Sequence, residues 1–174
     1  MKALIFSDSH GNSAAMELAI QKNPDADYFF FLGDGMRDAE ALAQKYPRLA
    51  FVAVPGNMDF GYIESFSGIM EEVTLDIDGV RIVLTHGHLR NVRAGLENIA
   101  YLAEEKQAQI VLYGHTHIPY RKYLVSIEKG EEKDEIILFN PGSIGKTYGE
   151  AAPSFGILEV QDGKISIYHG KVVL

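Results

Sequence analysis

Short apolar runs alternate with helical patterns over the first 54 residues, and this alternation limits the fold more than any other feature of the sequence. Three runs have the length and composition of buried strands: Lys2–Ser7, Tyr28–Leu32 and Leu49–Val54. Ser13–Lys22 has helical spacing and follows an Asn12 cap. Asp38–Tyr46 is a second helical segment, and it ends before Pro47. This order of elements predicts parallel strands joined by right-handed crossovers.

The rest of the chain predicts mostly antiparallel strands. Three pairs of runs flank turn residues and indicate hairpins: Val73–Ile77 with Val80–Thr85, Arg121–Ile127 with Glu135–Phe139, and Phe155–Val160 with Lys164–Val172. The loop of the second pair is predicted at Lys129–Asp134. Ile110–Tyr113 indicates one more buried strand, and Val92–Glu105 is predicted to be the longest helix. Two packed sheets covered by helices accommodate all 174 residues as one domain.

Composition excludes several classes of function. The chain contains no cysteine, so it has neither a disulfide framework nor a thiolate metal site, and this suits a reducing compartment. No apolar run approaches the roughly 20 residues of a membrane span, and we expect a cytoplasmic protein that does not enter membranes. The net charge is −8 with scattered Lys and Arg, which argues against a broad nucleic-acid-binding surface.

A polar side chain follows each of five predicted strands. These five residues are Asp8, Asp34, Asn57, His86 and His115. The carboxyl ends of strands are where α/β folds bind their ligands, so we expect the five side chains to meet. Carboxylate, amide and imidazole groups are ligands that divalent transition metals accept.

Three further histidines lie two residues after one of these side chains, at His10, His88 and His117. Taken singly, each such pair is also explained by an ordinary polar loop, and Asp34 by a tight Gly-Asp-Gly turn. Together the segments hold five of the six histidines and predict a two-metal site, which is suited to hydrolysing phosphate esters. Asp59 is predicted to orient a ligating histidine by accepting its N–H. His169 is predicted to be structural or on the surface.

The ordered set of segments resembles a known family. Five blocks carry the resemblance: Asp8-x-His10, Gly33-Asp34, Gly56-Asn57-x-Asp59, His86-Gly87-His88 and Gly114-His115-x-His117. They match the signature blocks of the calcineurin-like metallophosphoesterase superfamily. The short length and the Asn140-Pro141-Gly142-Ser143 segment resemble its small prokaryotic YfcE-like phosphodiesterase branch. This segment has the residues of a tight turn between strands, and it is predicted to brace the site. The resemblance implies an α/β fold, a four-layer α/β/β/α sandwich with two mixed β-sheets.

The resemblance also implies a role for each candidate ligand. Asp8, His10 and His117 would bind one metal, Asn57, His86 and His115 the other, and Asp34 would bridge both. The cofactors implied are two divalent metal ions, with Mn²⁺ first and Ni²⁺, Fe²⁺, Zn²⁺ or Mg²⁺ as alternatives. The expected reaction is hydrolysis of a small phosphate diester by a hydroxide that bridges the metals. The branch further implies a homodimer or homotetramer.

Position 58 departs from many members of the family, which have there a histidine that protonates the leaving group. The residue here is Met58, and a thioether donates no proton. Either another group acts as the acid, with His88 as the first candidate, or the enzyme favours esters with good leaving groups. The alternative to an enzyme is a protein-binding scaffold with the same fold and little or no activity. Degenerate scaffolds lose metal ligands, whereas all seven positions here hold a metal-capable residue.

Overall fold

The computed structural model describes residues 1–63, 70–128, 131–145 and 152–172. Within these residues the chain forms ten strands: β1 Lys2–Phe6, β2 Tyr28–Phe31, β3 Ala50–Ala53, β4 Glu72–Ile77, β5 Val80–Thr85, β6 Ile110–Leu112, β7 Tyr120–Glu128, β8 Glu131–Asn140, β9 Ser154–Gln161 and β10 Lys164–Lys171. The same residues form four α-helices: α1 Ser13–Lys22, α2 Met36–Lys45, α3 Phe60–Ile63 and α4 Glu97–Lys106. Two 3₁₀ turns, Asn57–Asp59 and His88–Arg90, complete the described elements.

The strands form two five-stranded sheets, and both are mixed. The first sheet has the order β10-β9-β1-β2-β3, in which β1, β2 and β3 are parallel, as the sequence predicts. The second has the order β4-β5-β6-β8-β7, with β5, β6 and β8 parallel and an antiparallel strand at each edge. The predicted β4–β5 and β9–β10 hairpins are confirmed.

Three apolar interfaces separate four layers, because successive side chains of a strand point to opposite faces of its sheet. Leu4 and Phe6 of β1 pack with the buried faces of α1 and α2, whereas Ala3 and Ile5 join the cluster between the two sheets. The outer face of the second sheet is covered by α4, with Val83 among the strand residues packed there. The layer order is therefore α/β/β/α, and it places the ends of strands from both sheets beside each other.

Helix α4 begins at Glu97, so the predicted start at Val92 is wrong, and α4 is no longer than α1 or α2. Gly87 and Asn91, which precede the predicted start, both have positive φ, and residues 91–94 form turns in place of a helix, with the Ala94 amide donating to the Asn91 carbonyl at 2.9 Å. The Val92 amide donates to the Gly87 carbonyl at 3.3 Å, which closes a turn in place of the first helical turns.

Strand β8 begins at Glu131, so the predicted loop at Lys129–Asp134 is wrong from Glu131 onward, and residues 129–130 lie outside the described part. The neighbouring strand β6 pairs only with Ile137–Phe139. Residues 131–135 of β8 therefore pair with β7 alone, beyond the end of β6. A two-stranded arm has no sheet neighbour on that side, so it accommodates a charged sequence that looks like a loop.

The described helices include none that combines the length and the apolar composition needed to cross a membrane.

Candidate metal centre

The polar residues predicted to meet follow the carboxyl ends of parallel strands in both sheets. Asp8, Asp34 and Asn57 follow β1, β2 and β3 of the first sheet, and His86 and His115 follow β5 and β6 of the second. The Asp8 amide donates to the Gly33 carbonyl at 2.9 Å, and the Gly114 amide donates to the His86 carbonyl at 3.1 Å. Neighbouring loops of each sheet are thus joined by backbone hydrogen bonds, which fix the candidate ligands relative to one another.

Asp8, His10 and His117 form the first group whose ligand atoms lie within 4.8 Å of one another. Asp8 Oδ1 lies 3.1 Å from His117 Nε2 and 4.0 Å from His10 Nε2. The two Nε2 atoms are 3.4 Å apart. One carboxylate oxygen and two imidazole nitrogens therefore converge on one point. They belong to the three residues that the resemblance assigns to one metal.

Asp8, Asp34 and His86 form the second group, which is buried throughout. His86 Nδ1 is hydrogen-bonded to the Leu32 carbonyl, and because a carbonyl only accepts, Nδ1 carries the proton. His86 Nε2 then keeps its lone pair, and it lies 3.6 Å from Asp34 Oδ2. A backbone carbonyl that fixes the tautomer of a ligating histidine is a frequent feature of metal sites.

His115 and His88 stand beside His86, with ring centroids 5.1 and 5.2 Å from its ring. Burial and the neighbouring His86 lower the pKa of His115 to about 4. Burial, with His86 again contributing, also lowers the pKa of His88. Both imidazoles are therefore mainly neutral at pH 7, the form in which histidine binds metals.

Asn57 is exposed and opens the 3₁₀ turn Asn57–Asp59. The next amide, that of Met58, donates to Asp34 Oδ1 at 2.7 Å, so this turn packs directly on the second group. Gly56 permits the approach, because a Cβ at that position would collide with Asp34 Oδ1.

The structure corrects the role predicted for Asp59. Its carboxylate accepts four backbone N–H groups, at 2.8–3.0 Å, from these residues: Asp34, Gly35, Met36 and Gly56. Both oxygens are occupied by amides, so Asp59 joins the loops after β2 and β3 and does not orient a histidine. This carboxylate also caps α2, which explains why that helix begins at Met36 and not at Asp38.

The two groups share Asp8. Asp34 belongs to the second group, where its Oδ1 accepts the Met58 amide and its Oδ2 faces His86. The bridging role that the resemblance implies for Asp34 stays a prediction. Asp8 lies between the two sets of histidines and is fully buried.

Two serines that support Asp8 escape prediction from the sequence. Ser7 Oγ donates to Asp8 Oδ2, which also accepts the His115 amide at 3.2 Å. Burial raises the pKa of the Asp8 carboxyl, but the neighbouring His117 and His86 imidazoles and the Ser7 hydroxyl outweigh this, and the pKa is lowered. Ser143 Oγ donates to the Asp8 carbonyl at 2.8 Å. Ser143 lies in the segment predicted to brace the site, but its contact joins residues 135 apart, which no local pattern shows.

The brace also holds the loop that carries His115 and His117. Asn140 Nδ2 donates to the Gly114 carbonyl at 2.8 Å and to Thr116 Oγ1 at 3.0 Å. His169 is not placed among the candidate ligands. Its Nε2 is 2.7 Å from the Asn140 carbonyl oxygen, and its ring stacks on Phe139 with centroids 4.5 Å apart. The prediction that His169 is structural is confirmed.

A cleft of about 380 Å³ opens beside the two groups. His10, Asp34, Arg37 and Met58 are among the residues that line it. The Met58 side chain is 69% exposed at this cleft, so the position that holds an acid in many relatives presents a thioether here.

The donor set fits divalent cations. Among the described residues, the buried atoms that form no hydrogen bond include Asp8 Oδ1, His86 Nε2 and His88 Nδ1. Buried polar atoms are normally satisfied, so such atoms within one cluster indicate a ligand. Oxygen and nitrogen donors of this kind suit Mn²⁺, Fe²⁺, Zn²⁺ or Ni²⁺.

Residues 1–163 match the sequence model of the calcineurin-like phosphoesterase superfamily domain. The chain belongs to this superfamily. It is 30% identical to the phosphodiesterase YfcE of Escherichia coli strain K12, over 91% of this chain and 88% of YfcE. The predicted class, a phosphoric ester hydrolase, is confirmed at the level of the superfamily, and membership implies divalent metal ions.

Two solved structures share the fold. The first, a conserved uncharacterised protein and predicted phosphoesterase from Streptococcus pneumoniae TIGR4, has a TM-score of 0.73 at 28% identity, covering 98% of this chain and 88% of its own. The second, Vps29 from Entamoeba histolytica complexed with zinc, has a TM-score of 0.74 at 24% identity, covering 99% of this chain and 93% of its own. The predicted α/β fold with two mixed sheets is confirmed.

Proposed function

We propose that the protein is a phosphodiesterase that depends on two divalent metal ions and hydrolyses small phosphate diesters. The observation that carries the proposal is the pair of carboxylate–histidine groups that share the buried Asp8 and draw on loops from both sheets. Similarity to YfcE, which is a phosphodiesterase, supports the choice of substrate class. The acidic net charge and scattered cations favour a small diester over a long nucleic acid.

Some of the side chains would bind the cations, and others would donate or accept protons. Asp8, His10 and His117 would hold one cation, and Asp34 and His86, with His115 and Asn57 nearby, the other. Two divalent cations supply Lewis acidity, which activates water and offsets the charge of a phosphate. The imidazoles are suited to this task because burial keeps His115 and His88 mainly neutral at pH 7.

Protonation of the leaving group is the step that the side chains of this site support least. Met58 lines the cleft and has no proton to give. His88 is the first candidate for an alternative acid, but burial lowers its pKa, so only a minor fraction is protonated at pH 7. General acid catalysis is worth roughly 10²–10⁴-fold, so we expect a preference for diesters whose alcohol leaves without help.

Mn²⁺ is proposed as the working metal, because the donors combine carboxylate oxygen with imidazole nitrogen and none is sulfur. Sites of this kind also accept Ni²⁺, Fe²⁺, Zn²⁺ and Mg²⁺, and metal supply then decides occupancy. We further propose a cytoplasmic location, which is supported by the absence of cysteine.

The second candidate function is a protein-binding scaffold, because the fold is shared with Vps29, a protein named for vacuolar protein sorting and not for hydrolysis. A structure of Vps29 contains zinc, so metal binding alone does not separate a scaffold from an enzyme. Hydrolysis of a phosphate ester distinguishes the enzyme from the scaffold.

The first experiment compares hydrolysis of bis-p-nitrophenyl phosphate with that of p-nitrophenyl phosphate. Metal-stripped protein receives Mn²⁺, Ni²⁺, Mg²⁺ or Zn²⁺ in turn. We expect metal-dependent turnover that prefers the diester and falls by roughly 10²–10³-fold or more in Asp34→Ala, as when a charge-stabilising group is lost. Asp76→Ala is the control, because Asp76 is an exposed carboxylate paired with Arg81. Absence of turnover in protein that binds two ions by calorimetry makes the scaffold the better proposal.

A second experiment tests position 58. Met58→His restores a proton donor, so diesters with poor leaving groups gain roughly 10-fold or more, while p-nitrophenyl esters change little. Equal effects on both kinds of ester contradict the explanation given for Met58.

A further inference from the structure

A second cavity lies on the other side of the His115–His117 loop. This groove has a volume of about 610 Å³, and its apolar lining is formed by Val92, Leu96, Tyr113, Ile118 and Tyr120. Arg93 and Thr116 complete the lining. We call it the apolar groove. It shares no lining residue with the cleft that contains Met58.

One loop forms a wall of the apolar groove and part of the candidate metal centre. His115 and His117 stand at the metal centre, whereas Thr116 and Ile118 line the groove. The guanidinium of Arg93 donates to the His115 carbonyl at 3.2 Å, so a cation lies where the groove meets this loop. Residues 115–118 therefore lie between the groove and the metal centre, which are one loop apart.

The lining suits an uncharged organic group. Ile118 is 59% exposed and Tyr120 is 45% exposed, so both leave apolar surface in water that a ligand would cover. Burial raises the pKa of the Tyr113 phenol, so the inner wall stays neutral. The volume falls within the range of about 300–1,000 Å³ that is usual for small-molecule sites.

We propose that the apolar groove binds the ester group that stays on phosphorus, and that it selects diesters in which this group is apolar or aromatic. This inference rests on the proposed phosphodiesterase function. The proposed function assigns the leaving group to the cleft lined by Met58, and the groove is a separate space, so the groove is available to the retained ester group. Arg93 complements the anionic phosphate at the boundary between groove and metal centre.

The test compares two diesters that differ only in the retained alcohol: ethyl p-nitrophenyl phosphate and 2-phenylethyl p-nitrophenyl phosphate. Both release p-nitrophenolate, and their alcohols have similar acidity, so chemistry is matched. The measured quantity is the ratio of kcat/KM for the phenylethyl ester to that for the ethyl ester. We expect a ratio of about 10 for the wild-type protein, from burial of much of one phenyl ring.

Tyr120→Ser and Ile118→Ser each lower this ratio to about 2 or 3, because each removes part of the apolar wall. Tyr123→Ser is the matched control. Tyr123 lies on β7 like Tyr120, is also 45% exposed, and is not among the residues that line the groove. The control keeps the wild-type ratio.

The outcomes are distinguishable. A wild-type ratio near 1, or the same ratio in Tyr120→Ser, Ile118→Ser and the wild type, overturns the groove proposal and leaves the phosphodiesterase intact. Absence of turnover for both esters overturns the phosphodiesterase and the groove with it. An unchanged ratio combined with a change of mass in light scattering identifies the groove as an interface between copies of the chain, which also overturns the proposal.

Discussion

The loops of the metal centre and the hairpin turns contain the same uncommon backbone conformation and hold it by different means. Positive φ occurs at nine described residues other than glycine, and five of them belong to the metal centre: Asp8, His10, Asp34, His115 and His117. Asp78 and Asp162 have it in the hairpins. Each hairpin aspartate precedes a glycine, an arrangement that two-residue turns favour. The hairpins therefore encode their conformation locally.

The metal-centre loops encode theirs through distant contacts. Histidine in this conformation is less favourable than glycine, and no turn motif accompanies it. The Asp8 carbonyl accepts hydrogen bonds from Ser143 Oγ and from the Gly145 amide at 3.2 Å, and the His10 amide donates to the Asp34 carbonyl at 3.2 Å. The positive-φ conformation of the site loops is thus stabilised by hydrogen bonds from distant residues. That of the hairpins is stabilised by the two adjacent residues of the turn.

The largest expected effect is at Asp59, which ties the site loops together. Asp59→Asn replaces one acceptor oxygen with an NH₂ group that faces two backbone donors, at Asp34 and Gly56. We expect a loss of about 3 kcal/mol in the free energy of unfolding, because buried donors lose their acceptor. Urea denaturation of the metal-free protein measures it. The same substitution at the hairpin residue Asp162 is expected to be neutral within about 0.5 kcal/mol, since Asn also tolerates this conformation. Equal losses at both positions would remove the contrast.

Ser143 tests whether the distant contacts serve the metals or only the fold. Ser143→Ala removes the donor to the Asp8 carbonyl, and we expect Mn²⁺ affinity to fall by roughly 10–100-fold, as for other groups that orient ligands. Ser154→Ala is the control, because the buried Ser154 hydroxyl donates to the Pro141 carbonyl at 2.7 Å and contacts no candidate ligand in the described structure. Both variants lose about 1 kcal/mol of stability, and only the first loses metal affinity in titration calorimetry. A similar drop in affinity for both contradicts the assignment.

Paired alanine and glycine variants measure the strain itself. At His115 and at Asp162, the glycine variant is expected to be more stable than the alanine variant by about 1–2 kcal/mol, since only alanine resists positive φ. Thermal unfolding in the presence of EDTA compares each pair. A difference at one position alone shows that the two regions do not carry the same backbone strain.

His169 gives the smallest effect, through pH. Burial lowers the pKa of His169 in the folded protein, although its bond to the Asn140 carbonyl acts in the opposite direction. In the unfolded chain, His169 has a pKa of about 6.5 and is protonated below that pH, whereas in the folded protein it is protonated only at lower pH. The free energy of unfolding therefore decreases as the pH falls below about 6.5. The free energy of unfolding, measured in EDTA between pH 7.5 and pH 5.5, should fall less steeply in His169→Gln than in the wild type. Equal slopes would show that His169 does not contribute.

The sequence predicts what is encoded locally and misses what depends on distant residues. Helix α1 begins and ends where its Asn12 cap and apolar spacing place it, and the Asp-Gly turns give two hairpins in their predicted positions. The start of α2 was missed because its cap, Asp59, comes from another loop. The candidate ligands could be listed from strand ends, and the Asn140–Ser143 turn could be predicted to brace the site. The role of Ser7 and the bond from Ser143 to the Asp8 carbonyl could not, because no motif marks Ser7 and the second contact joins residues 135 apart.

The contact between Ser143 and Asp8 also bears on how the protein acquires its metals during synthesis. The Asp8 carbonyl accepts a hydrogen bond from a hydroxyl that is synthesised 135 residues later, and the Ser7 carbonyl accepts one from the amide of Ile144. Neither bond can form until that part of the chain has been made. When only the amino-terminal strands have left the ribosome, the aspartates and histidines that follow them are already present. Their backbone is not yet fixed by these hydrogen bonds. We therefore expect tight metal binding only after β8 and the segment through residue 145 have been made and folded.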